Sequence, residues 1–124
     1  MNKQSRLIFC ITFICLLFST TGQVFANPDS EQQIITDAFK TTLVKAIDDA
    51  LVGYYGKRYK SFEIHEMKVK EVHRMTPSGF GFIVKVQVDT FEGPHEPPYG
   101  RETLTLEVGP GGVFVTKLEH KDLP

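Results

Sequence analysis

The hydrophobic period of this chain changes once, from about 3.6 residues to two, and that change restricts the folds open to it. Ser30, followed three residues later by Gln33, forms a capping box that starts a helix. Ile35, Phe39, Leu43, Ala46, Ile47, Ala50 and Tyr54 then recur at three- and four-residue steps, with Asp37, Lys45 and Asp48 on the opposite side. This is an amphipathic stripe facing a core. Gly53 and Gly56 offer two ends for the helix. The basic residues that follow, Lys57, Arg58 and Lys60, are read as complementing the negative end of its dipole.

From Phe62 onward the pattern alternates. Phe62 and Ile64, then Met67 and Val69, then Val72 keep a period of two but shift phase, which predicts a bulge or bend. Thr76 to Gly79 is a turn. Phe80, Phe82, Val84, Val86 and Val88 give one apolar face, and Leu104, Leu106 and Val108 another. Gly109 to Gly112 closes a hairpin into a last strand, Val113 to His120. The expected fold is α+β: one N-terminal amphipathic helix packed on a curved four-stranded antiparallel meander, cystatin-like in outline. The outline carries no function. The protease-inhibiting Gln-x-Val-x-Gly hairpin of cystatins has no counterpart, because Gln87 to Phe91 lacks the glycine.

Residues 1–26 follow a different logic. Fifteen of them are apolar and none is acidic, with Lys3 and Arg6 ahead of the run Leu7 to Phe18 and small-residue spacing at Val24, Phe25 and Ala26. That is the layout of a cleavable secretory signal peptide, with cleavage between Ala26 and Asn27. The run stops at Ser19, short of the roughly 20 apolar residues a membrane span needs. Removing 26 of 124 residues leaves 98, expected to form one domain at 27–124 with a net charge of −3. The expected location is secreted or extracytoplasmic, in the cell wall or outside the cell. The mild acidity speaks against a nucleic-acid partner. Cys10 and Cys15 both leave with the leader, so thiol nucleophiles, thiolate metal ligands and redox pairs leave too.

One segment stands apart. Glu92 to Gly100 is a nine-residue link between strands, stiffened by Pro94, Pro97 and Pro98, where hairpins usually use two to five residues. Glu92, His95, Glu96, Tyr99 and Arg101 are its candidate binding residues, being types that hold a ligand or move a proton. Arg101 and Glu102 are adjacent on a strand and point to opposite faces. No metal and no cofactor is expected. His65 and His73, eight residues apart on an extended strand, would be roughly 26 Å apart. Neither Ser61 nor Ser78 lies in a nucleophile elbow. The reading is therefore a non-enzymatic binding or accessory domain for an unknown envelope or extracellular ligand or protein. The alternative is a small hydrolase or lyase using His95 with Glu92 or Glu96, and a third reading is pairing through the edge strand Val113 to His120.

Val88, Thr90 to His95, Pro97 to Gly100, Glu102 and Thr103, with Tyr54, Tyr55 and Gly56 upstream, resemble a family of small secreted proteins of endospore-forming Gram-positive bacteria. Its motif reads TFEGPHxPPYGxET, and the family is identified as domain of unknown function 3888. The resemblance implies export and a Gram-positive host, and it supplies no established activity or catalytic residues to carry over. Its pattern has Asn where this chain has Glu96, which adds a negative charge beside His95.

Overall fold

In the computed structural model, residues 30–57 and 60–124 are described. The leader, with its expected cleavage point at Ala26 and Asn27, lies outside the described residues, as does Arg58 of the basic cluster. Helix α1 spans Glu31–Tyr55 and begins directly after Ser30, where the capping box places it. It ends at the second of the two glycines. Gly56 takes φ 77° and donates its amide to the Val52 carbonyl at 2.9 Å, a left-handed cap that a residue with Cβ enters at a cost. Among the described residues no helix is long and apolar enough to cross a membrane.

Five antiparallel strands follow, not four: β1 Lys60–Phe62, β2 Lys68–Arg74, β3 Phe82–Glu92, β4 Glu96–Gly109 and β5 Gly112–Leu123. The phase shifts after Phe62 mark a chain break as well as a bulge. A turn at residues 64–66, closed by the Met67 amide on the Ile64 carbonyl, separates β1 from β2. Both then pair with the same strand, β1 with the end of β3 and β2 with its beginning. The predicted bulge falls inside β2, between Val69 and Glu71. The sheet order is β1-β3-β4-β5, with β2 beside β3 off that path.

The core lies between α1 and one face of the sheet. Leu43, Ile47 and Leu51 meet Met67, Val84, Val86, Val88, Leu104 and Leu106, all buried. Burying each such side chain contributes about 1.5–3 kcal/mol before entropy is subtracted. Three expected core residues lie elsewhere. Phe80 is 74% exposed because β3 begins only at Phe82 and Phe80 belongs to the turn before it. Ile35 is 55% exposed, on a helix turn preceding Phe39, the first α1 residue packed against the core. Tyr54 is 53% exposed, and its neighbour Tyr55 packs on the core instead. Leu43, Ile47, Leu51 and Tyr55 form an unbroken series of four-residue steps, and this series is the one the sheet selects.

The nine-residue link is mostly strand. The connection between β3 and β4 is Gly93, Pro94 and His95, with Gly93 at φ 47° and His95 at φ 63°. Proline favours extended backbone, so Glu96 to Gly100 continues β4. Thr90 pairs with Gly100 and Glu92 with Glu96, leaving Pro97 and Pro98 in the irregularity between those pairs. There their missing N–H groups cost no ladder bond.

Candidate functional site

At the hairpin end of the core face, the apolar rows of the sheet give way to polar residues. On β3 the series Val84, Val86, Val88 continues to Thr90. On β4 the row Leu106, Leu104 continues to Glu102 and Gly100. On β5 Leu118 is followed in the same facing by His120 and Asp122. The register sets Val88 opposite Glu102 and Glu102 opposite His120, and in the next row Thr90 opposite Gly100 and Gly100 opposite Asp122. The last residue of α1, Tyr55, closes the group from above.

Glu102 is fully buried and satisfied by three side chains. Tyr55 Oη donates to its Oε1 at 2.5 Å and Thr90 Oγ1 donates to the same oxygen at 3.1 Å. His120 Nδ1 lies 2.9 Å and 3.0 Å from Oε1 and Oε2. The other ring nitrogen, Nε2, lies 2.9 Å from Asp122 Oδ1, which is in water. Both nitrogens therefore face carboxyl oxygens, and both donate when the ring is protonated. The hydrogen bonds to Asp122 and then to Glu102 raise the pKa of His120 above its ordinary value. Burial, reinforced by the bond to Glu102, pushes the Tyr55 phenol up and keeps it a donor. The Tyr54 ring lies against the outer side of His120, with centroids 5.7 Å apart.

Gly100 makes the convergence possible. A Cβ built there would lie 2.7 Å from Glu102 Oε1, 2.8 Å from Thr90 Oγ1 and 2.9 Å from His120 Cε1. No side chain fits at the centre of this group.

The raised pKa of His120 sets a direction for stability. A cation stabilised by folding contributes fully below the unfolded-chain value and loses that contribution as pH rises through the higher folded value. Urea unfolding is thus expected to show a less stable domain at about pH 9 than at about pH 6. His120→Gln should flatten that slope, and an unchanged slope in the variant would place its origin elsewhere.

The residues singled out in the sequence divide between two other places. Lys60, buried in β1, donates to the Pro98 carbonyl, pairs with Glu92 at 3.5 Å and holds its ammonium 5.5 Å from the centroid of the Tyr55 ring at the end of α1. His95 stacks on Phe91 with ring centroids 3.9 Å apart. Its Nε2 lies 3.1 Å from Glu63 Oε1, so its carboxyl partner is Glu63, from the turn after β1, and not Glu92 or Glu96. Tyr99 Oη donates to the His95 carbonyl at 2.9 Å. Glu96 is exposed at the start of β4. Arg101 stands apart, on the face away from the helix, donating from Nε and Nη2 to the two carboxylate oxygens of Asp89, each at 2.7 Å. That pair holds the Asp89 carboxyl below its ordinary value. Glu92, His95, Glu96, Tyr99 and Arg101 therefore do not form one pocket. Among the described residues no three His, Cys, Asp or Glu side chains converge to hold a metal ion.

The Tyr55, Thr90, Glu102 and His120 group was not singled out in the sequence, although a signal for it exists. Glu102 occupies the same strand phase as Leu104, Leu106 and Val108, a charged type in an apolar register.

The family model described as "Protein of unknown function (DUF3888)" matches residues 35–122. No curated protein and no solved structure matches the chain.

Proposed function

Because the chain belongs to the DUF3888 family, whose description assigns no activity, we propose a function from the geometry: an exported, non-enzymatic binding domain that presents the β3–β4 hairpin to an envelope or extracellular partner. One observation carries this reading. The hairpin tip is fixed and yet open: His95 is held by Phe91, Glu63 and the Tyr99 hydroxyl while its side chain stays 61% exposed. A surface ordered before contact loses less entropy on binding. The buried Glu102 group is its foundation, tying α1, β3, β4 and β5 together at the hairpin base. With its oxygens engaged by Tyr55, Thr90 and His120, Glu102 is occupied as an anchor. Removal of the leader after Ala26, release to the wall or medium of a Gram-positive cell, and a cystatin-like arrangement without the inhibitory hairpin belong to the same proposal.

Titrating 15N-labelled protein with soluble peptidoglycan fragments is expected to move the amides of Gly93, His95 and Glu96 first, and His95→Ala should weaken the response. Shifts spread evenly over the sheet, or none, would sink the reading. N-terminal sequencing of the released protein should begin at Asn27.

A second reading has one observation behind it: His120 bridges a buried and an exposed carboxyl, the arrangement of an oriented acid–base histidine. Turnover of the same fragments that disappears in His120→Gln, with the fold retained, would replace the binding reading with an enzymatic one.

A further inference from the structure

Strand β2 lies at an edge of the sheet. It is bonded to β3 on one side, and no strand among the described residues pairs with the other. Its backbone groups on that side are a template for another strand. Beside it, on the helix side, runs an apolar groove of about 160 Å³ lined by Phe39, Val72, Phe82, Val84 and Val108. Val72, on β2 itself, is 51% exposed.

The charges on this edge are one-sided. The only acid of β2, Glu71, is taken by Lys85 at 3.1 Å and approached by His73 at 3.4 Å, and these contacts hold its carboxyl below the ordinary value. Lys68 and Lys70 are in no ion pair among the described residues, although the charge of Lys68 reaches Asp89, while the Arg74 guanidinium donates to the Gly79 carbonyl and lies over the Phe82 ring at 4.8 Å from its centroid. Cations along an edge repel a second copy of the same edge, which is one way proteins avoid self-pairing. The same cations favour a strand of opposite charge.

We propose that β2 and the adjoining groove form a docking site for an extended acidic peptide segment, which adds to the sheet as a further strand. Backbone bonds to β2 supply the affinity. Alternate side chains of the added strand face the helix side, where an apolar one enters the groove beside Val72 and Phe39, while acidic ones on the opposite face meet Lys68, which stands opposite Gln87, and the neighbouring bulge residue Lys70. Seven residues of β2 accommodate a partner strand of about 23 Å. The site goes beyond the hairpin reading and does not depend on it.

The test uses the purified full chain and a fluorescent peptide of about nine residues alternating glutamate and valine, long enough to span the strand. Anisotropy is expected to saturate, with amide shifts along Lys68 to Arg74. Methylating every second backbone nitrogen of the peptide, or exchanging its glutamates for lysines, should weaken binding roughly tenfold or more. The protein variants Val72→Glu and Lys68→Glu with Lys70→Glu should do the same, and circular dichroism checks that these exposed substitutions leave the fold intact. Equal binding by the methylated peptide overturns strand addition, and equal binding by the lysine peptide overturns the charge argument. Displacement by inorganic polyphosphate that is indifferent to backbone methylation would assign the cations to a polyanion. Shifts confined to Gly93 to Glu96, or no saturation up to about 1 mM peptide, would also overturn the proposal.

Discussion

Glu102→Ala is expected to destabilise the domain by about 3–5 kcal/mol, the range for removing one partner from a buried charged group. Three donors converge on this carboxyl: Tyr55 Oη, Thr90 Oγ1 and His120 Nδ1. Taking it away removes the shared acceptor of all three and leaves the buried Thr90 hydroxyl without one, while half-buried Tyr55 and His120 keep each other at 3.1 Å; an orphaned buried donor costs about 1–3 kcal/mol. A domain of this size has roughly 5–15 kcal/mol of stability in total, so the variant should melt early or fail to accumulate. Glu102→Gln gives a second, milder measurement. It keeps the volume and an oxygen for Tyr55 and Thr90 but removes the charge opposite His120. In that variant the His120 pKa, followed by NMR, should fall toward its ordinary value. A loss under about 1 kcal/mol in the alanine variant, within the range of an ordinary hydrogen bond, would show that the group is not an anchor.

Gly100→Ala should cost about 1–3 kcal/mol through overpacking. The added methyl would meet Glu102 Oε1, Thr90 Oγ1 and His120 Cε1 at 2.7–2.9 Å. A flexible side chain could swing away from such a contact, but these atoms are bound to one another. Something in the group must therefore separate, and the Glu102 to His120 contact is the one most directly in the way. Gly111→Ala is the matched control, since a Cβ there meets nothing within 4 Å. Its effect should stay within about 0.5 kcal/mol. Chemical denaturation of both variants at one pH, with the His120 titration recorded alongside, separates crowding from a general effect of replacing glycine. Equal stabilities for the two variants would contradict the close approach at Gly100.

Much of the fold was legible because its signals are local. The capping box placed the start of α1, the alternation placed β3, β4 and β5, and the phase shift marked the bulge in β2. The strand count differed because a short turn and a bulge leave the same trace in the alternation, a change of phase, and only the pairing with β3 separates β1 from β2. The apparent nine-residue loop is mostly strand because prolines mark extended backbone as readily as a connection.

The site was less legible, and the reason is separation along the chain. Sequence proximity drew Glu92, His95, Glu96, Tyr99 and Arg101 into one group, yet strand alternation sends Arg101 to the far face and His95 finds Glu63 across the turn. Tyr55 and His120, whose polar atoms lie 3.1 Å apart, are 65 residues apart in sequence. The sequence by itself determined the helix, the alternation of the three long strands and the polar residues standing in apolar register, because periodicity is set within a single element. Only the tertiary structure decided that Tyr55 and not Tyr54 turns inward, and that Thr90, Glu102 and His120 meet around Gly100. Those choices depend on the register between strands and on the height at which the helix crosses them, which distant segments set together.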